Sequence, residues 1–167
     1  MTIGAPSVVP WWQGRRGEWY VVLQAVLFLL LPLGPRTWPG WPAFAPLASA
    51  TASTLAVVLV AGGFALVVSG VTWLRSNLSP LPYPRDSATL VQTGPFRIVR
   101  HPMYSGAILM AFGWSLAVQG LLTFGYALLM FVLFDMKARR EEAWLSERFP
   151  EYSCYQERTR KLIPFVF

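Results

Sequence analysis

The chain has 167 residues, of which 54% are hydrophobic and only 13% charged, and its formal net charge is +6. That length makes one domain, residues 1–167, and eight Trp with a mean hydropathy of +0.44 exclude an ordinary soluble domain. The Lys and Arg residues sit beside apolar runs, where anionic lipid headgroups and membrane orientation explain them better than nucleic acid does.

The first eighteen residues are a polar and aromatic lead with Arg15 and Arg16. Trp11, Trp12, Trp19 and Tyr20 read as an interfacial belt. No cleavable leader is expected, because Pro6, Pro10 and the Trp pair precede the first apolar run. A first membrane segment is expected from about Trp19 to Leu33, somewhat short against the roughly twenty residues of a straight span. Pro32, Gly34, Pro35, Pro39, Gly40, Pro42 and Pro46 then break the helix and make an interfacial connector.

The second segment, about Ala48 to Leu74, is the clearest span. Ala52, Ala56, Ala61, Gly62, Gly63, Ala65, Ser69 and Gly70 favour close approach of a neighbouring helix. Residues 75–103 form a polar loop whose prolines rule out a long helix. A third segment runs from about Met103 to Gln119, Gly120 reverses the chain, and a fourth runs from about Leu121 to Phe134. This last helix should continue past the membrane to Phe149, since Ala138 to Leu145 are mostly good helix formers, and Pro150 stops it. A basic and aromatic tail follows.

Four spans place the amino terminus, the 75–103 loop and the tail on one side. That side then holds 13 of the 14 Lys and Arg residues, with only Arg36 opposite. The positive-inside rule makes both termini cytoplasmic, in the plasma (inner) membrane. The expected fold is an all-α integral membrane protein with four transmembrane helices, the last two a C-terminal helical hairpin.

A tight turn between the third and fourth helices makes their cytoplasmic ends neighbours. His101, the one histidine, would therefore meet Glu141 and Glu142 despite the sequence gap. Each cluster has a plain structural explanation: His101-Pro102 suits a helix start, and the Glu pair could balance Lys137, Arg139 and Arg140. Together they read better as one ionisable site, because charges beside membrane helices tend to be functional. One His and the lone Cys154 supply no metal framework, so no metal is expected.

Two strings carry a family resemblance. Leu90-Val91-Gln92-Thr93-Gly94-Pro95-Phe96-Arg97-Ile98-Val99-Arg100-His101-Pro102-Met103-Tyr104-Ser105-Gly106 contains an RHPxYxG box, and Glu141-Glu142-Ala143-Trp144-Leu145 opens a segment that ends in a Tyr-rich stretch. In this order and separation they closely resemble the isoprenylcysteine carboxyl methyltransferase family and, more loosely, phospholipid N-methyltransferases. The resemblance covers about residues 75–164.

It implies an S-adenosylmethionine-dependent methyltransferase with a cytoplasmic cofactor pocket roofed by the C-terminal segment. By position, the cofactor-binding residues would be Thr89, Leu90, Val91, Phe96, His101, Pro102, Met103, Tyr104 and Glu141. Ala88 would contribute backbone, and Arg100 would join His101 at the methionyl carboxylate. Lys137 or Arg139 would orient an anionic acceptor, and Glu142 could take a proton from an amine or thiol. Family members acting on prenylated tails carry Arg where this chain has Lys137, and commonly Tyr where it has Phe96. The implied partners are membrane lipids and a lipophilic or small-molecule acceptor; oligomeric state has no signature. The alternatives are an NADPH-dependent membrane reductase of the sterol-reductase type and a non-enzymatic membrane module.

Overall fold

The computed structural model describes residues 17–41, 49–79, 81 and 89–163, with the backbone alone at Ser49 and Ser76. Five α-helices follow in chain order: α1 (Glu18–Leu33), α2 (Ser49–Leu74), α3 (Pro102–Ala117), α4 (Leu121–Arg148) and α5 (Tyr152–Arg158). Short 3-10 turns lie at Arg75–Asn77 and Gly94–Arg97. The architecture is all-helical, and the described residues contain no strand beyond one isolated parallel bridge between Val99 and Arg160. At 1.5 Å per residue, the 26 residues of α2 and the 28 of α4 reach about 39 and 42 Å. Both helices are long and apolar enough to cross a membrane, whereas α1 and α3 have 16 residues each.

The small residues of α2 do what their pattern suggests. A Cβ on Gly63 would lie 2.5 Å from the Gly106 carbonyl oxygen, so the backbones of α2 and α3 are in direct contact there. No larger residue fits at that crossing, and α3 packs more extensively on α2 than on any other element. The outward faces stay apolar and exposed, as at Leu29 (61%), Val57 (68%) and Leu129 (58%). Apolar exposure this extensive along α1, α2 and α4 suits contact with lipid rather than water.

The reversal between α3 and α4 differs in detail from expectation. The residue with left-handed backbone is Gln119, at φ 48°, not Gly120. Gly120 is required for space: a Cβ there would press on the Thr123 hydroxyl and lie 2.8 Å from the Arg36 carbonyl oxygen. Helix α1 ends at Leu33, and Pro35, two residues on, has no N–H for the Leu31 carbonyl four residues back. The indole Nε1–H of Trp114 donates to that carbonyl instead, at 2.9 Å, and so fastens α1 to α3.

The tail beyond Pro150 folds more than its composition suggested. It forms α5, whose Tyr152 and Tyr155 are buried on one side. The 3-residue spacing puts both rings on one helical face. After α5 the chain lies alongside the loop before α3, with Arg100 N–H donating to the Arg160 carbonyl at 2.8 Å and His101 N–H to the Lys161 carbonyl at 3.2 Å. Ser105 Oγ donates to the Leu162 carbonyl at 2.5 Å, and Lys161 pairs with Asp135 of α4. The C-terminal segment is thereby strapped across the ends of α3 and α4.

Candidate functional site

The end of the bundle under that strap gathers the ionisable residues. His101 closes the loop immediately before α3, and Pro102 starts the helix, where a missing N–H has no cost. From there the His101 ring faces α4. Its Nε2 lies 3.2 Å from Glu142 Oε1 and its Nδ1 lies 3.6 Å from Glu141 Oε2, the first a hydrogen bond and the second too long for one. Tyr104, one turn along α3, donates its hydroxyl to Glu141 Oε2 at 2.9 Å. The expected meeting of the imidazole with the acidic doublet is thus present.

A column of rings carries this cluster into the bundle. His101 stacks on Tyr104 at 5.3 Å with 3° between planes, and Tyr104 stacks on Phe134 at 4.7 Å with 13°. Lys137 is 2% exposed although charged. Its Nζ sits 5.1 Å over the Tyr104 ring and donates to Gln24 Oε1 of α1 at 2.7 Å. A cation held over a ring face and bonded to an amide is tolerable inside an apolar bundle; an isolated one is not.

Two cavities flank the column. The larger, about 630 Å³, lies between α1 and α2 and is walled by apolar side chains such as Phe28, Val60, Val67, Met110 and Trp114. Gln24, Ser79, Tyr104 and Lys137 bring its few polar groups. The smaller crevice, about 90 Å³, lies under the strap. Its walls include Thr89, Leu90, Val91, Phe96, His101 and Glu141. Ser79, Met103 and Tyr104 belong to the walls of both. Asn77 aligns the 89–91 edge of the crevice: its amide donates to the Thr89 carbonyl at 3.0 Å and its Oδ1 accepts from the Thr89 N–H at 3.3 Å.

The residues expected from sequence divide accordingly. Thr89, Leu90, Val91, Phe96, Arg100, His101, Pro102, Met103, Tyr104 and Glu141 all border the crevice, while Ala88 lies outside the described residues. Arg100 borders it but has its guanidinium engaged elsewhere. Nε donates to Glu142 Oε1 at 2.7 Å, and Nη1 donates to the carbonyls of Gln156 (3.1 Å) and Thr159. Glu142 also accepts from Gln156 at 3.2 Å. Arg100 and Glu142 therefore clasp the tail, and the Glu142 carboxylate borders neither cavity. Arg139, 65% exposed, turns back to Asp135 at 2.7 Å and also borders neither. Lys137 alone of the three residues given an acceptor-side role reaches the large cavity.

Sequence reasoning missed Gln24, Asn77 and the two tyrosines of α5. Gln24 had a signal, a lone amide inside an apolar run. Tyr155 donates to the Phe96 carbonyl at 2.6 Å, which fixes the crevice wall. Tyr152 is 1% exposed and its hydroxyl has no hydrogen-bond partner among the described residues. Burial pushes the Tyr152 phenol well above its ordinary range, and the nearby carboxylates of Glu142 and Glu141 add to this, so it stays protonated.

Residues 51–152, more than half of the chain, match the family described as phospholipid methyltransferase. The chain is 32% identical over 156 residues to the cobalt-zinc-cadmium resistance protein CzcN of Cupriavidus metallidurans, covering 90% of this chain and 63% of that protein. It is 31% identical over 170 residues to the nickel-cobalt-cadmium resistance protein NccN of Alcaligenes xylosoxydans xylosoxydans, covering 97% of this chain and 71% of that one. A probable protein-S-isoprenylcysteine O-methyltransferase of Oryza sativa subsp. indica is 30% identical over 83 residues, 48% of this chain and 44% of the plant protein.

Proposed function

This chain belongs to the phospholipid methyltransferase family, and we propose that it is an integral membrane S-adenosylmethionine-dependent methyltransferase acting on a lipophilic acceptor at the cytoplasmic face. The observation that carries the reading is the meeting of two unlike cavities at one wall. A polar crevice and a large apolar cavity share Ser79, Met103 and Tyr104, as a reaction between a water-soluble donor and a lipid-soluble acceptor requires. The four-span arrangement with both termini cytoplasmic belongs to this proposal: α1 to α4 span, and the strapped end faces the cytoplasm.

The crevice has a donor set that fits the cofactor. The 89–91 backbone edge beside Phe96 suits a flat adenine, and the Glu141 carboxylate can accept from an amine or a ribose hydroxyl. At about 90 Å³ the crevice is smaller than the roughly 300 Å³ where ligand pockets usually begin. Binding therefore requires the strap to move outward. Bound there, S-adenosylmethionine would supply an electrophilic methyl group.

The remaining work falls to the chain's own residues. In-line transfer needs alignment and exclusion of water more than strong acid-base chemistry. Tyr104 is held by its neighbours on both faces and by Glu141, so the common wall is rigid. The acceptor's apolar body would lie in the large cavity, entered from the bilayer between α1 and α2, and Lys137 would hold its polar head near Tyr104. Arg100 and Glu142 close the strap over the donor side, which keeps water out.

The resistance names of the two bacterial relatives belong to those proteins and specify no chemistry for this one. The test is binding by the detergent-purified protein of S-adenosylhomocysteine, the product form of the donor, against NADPH. A thermal shift and a calorimetric Kd with the first and none with the second are expected. Loss of that binding in H101A and E141A, with folding intact, is expected too. Response to NADPH alone would replace this reading with the reductase, and response to neither would leave a non-enzymatic module. Radiolabelled methyl transfer to lipid amines, thiols and carboxylates then identifies the acceptor class.

A further inference from the structure

Tyr152 is unusual among the polar groups of the strap. It is 1% exposed, its hydroxyl has no partner among the described residues, and it borders the crevice beside Glu141 and Phe149. Its neighbour Tyr155, packed edge-on at 5.7 Å, does have one, the Phe96 carbonyl. Buried hydroxyls are normally satisfied, and a native exception calls for an explanation.

Resting on the reading of the crevice as a nucleoside site, we propose that the Tyr152 hydroxyl is a ligand contact, donating a hydrogen bond to an acceptor atom of the bound nucleoside. The phenol is protonated and so offers a donor. The crevice's carboxylate, Glu141, already accepts from Tyr104 and can only accept again. Other donors on that wall are committed within the fold: the Asn77 amide to Thr89, Arg100 to Glu142 and the tail carbonyls, and His101 to Glu142. Tyr152 adds a donor that gives up no bond to reach a ligand acceptor (a ring nitrogen, a ribose oxygen or a carboxylate). Because Tyr152 opens α5, the same contact would draw the strap onto the ligand.

The experiment is Y152F in the full chain, with Y155F as the contrast. A partnered hydroxyl supports the apo fold, so Y155F should melt lower than wild type without ligand. Y152F removes a hydroxyl with nothing to bond, so its apo melting temperature should be equal or higher. Affinity of Y152F for S-adenosylhomocysteine should fall roughly ten-fold, the effect of one net hydrogen bond. An apo melting temperature clearly lower for Y152F would overturn the proposal, since the hydroxyl would then have a structural partner. Unchanged affinity would overturn it as well. Failure of the wild-type protein to bind S-adenosylhomocysteine is a different result, and removes the crevice reading itself.

Discussion

Lys137 Nζ and Gln24 Oε1 meet at 2.7 Å, joining α4 to α1 at one end of a cavity otherwise walled by apolar side chains. The pair places a single cation where a lipophilic molecule would present its head. Lysine gives a point charge there, not the two-pronged grip of arginine.

K137M should therefore separate the two cavities functionally. Methyl transfer should fall at least ten-fold through a raised KM for the acceptor, while the Kd for S-adenosylhomocysteine changes less than two-fold. The methionine fills nearly the same volume, so the bundle should remain folded. Equal loss of both activities would show that Lys137 serves the donor side.

The Arg100–Glu142 clasp is a charge pair with each side chain little more than a tenth exposed. Removing one partner leaves the other uncompensated, at a cost of about 3 kcal/mol in such surroundings. E142Q should lower the melting temperature and make the chain beyond Pro150 the first site of proteolysis. A tail as resistant as wild type would mean that Ser105, Lys161 and the Val99–Arg160 bridge hold the strap alone.

The crossing at Gly63 and Gly106 allows no side chain on either backbone. G106L should force α2 and α3 apart and lose at least 2 kcal/mol, in the upper range for overpacking. Gly62, one residue away, has open space around it, so G62A should be neutral or better. Melting of the two variants in the same detergent checks the contrast.

Trp114 satisfies the carbonyl that Pro35 leaves without a donor. W114F keeps most of the apolar volume but not the N–H, and should lose about 1–2 kcal/mol. A double variant with Ala in place of Pro35 supplies the backbone N–H again, and should recover part of that loss if helix α1 extends by a residue.

Much of this protein is readable along its chain. Apolar runs mark the helices, and Pro35 just past α1 and Pro150 just past α4 cannot continue them because they have no N–H, whereas Pro32 is carried inside the last turn of α1. The small residues of α2 announce a close neighbour, and the charge asymmetry implies an orientation. The turn after Val118 makes His101 and Glu141 neighbours by connectivity alone. What the chain in one dimension does not reveal is how each polar group divides its bonds. Arg100 and Glu142 read as site residues of the same standing as His101, yet three-dimensional packing turns them on the tail, because the carbonyls of Gln156 and Thr159 lie within reach only after α5 folds back. Likewise Arg139 and Lys137 are two residues apart, and the 3.6-residue period sends one toward solvent and the other into the bundle. The unsatisfied hydroxyl of Tyr152 is the clearest case: its want of a partner is a property of the assembled walls around it, and no local pattern encodes it.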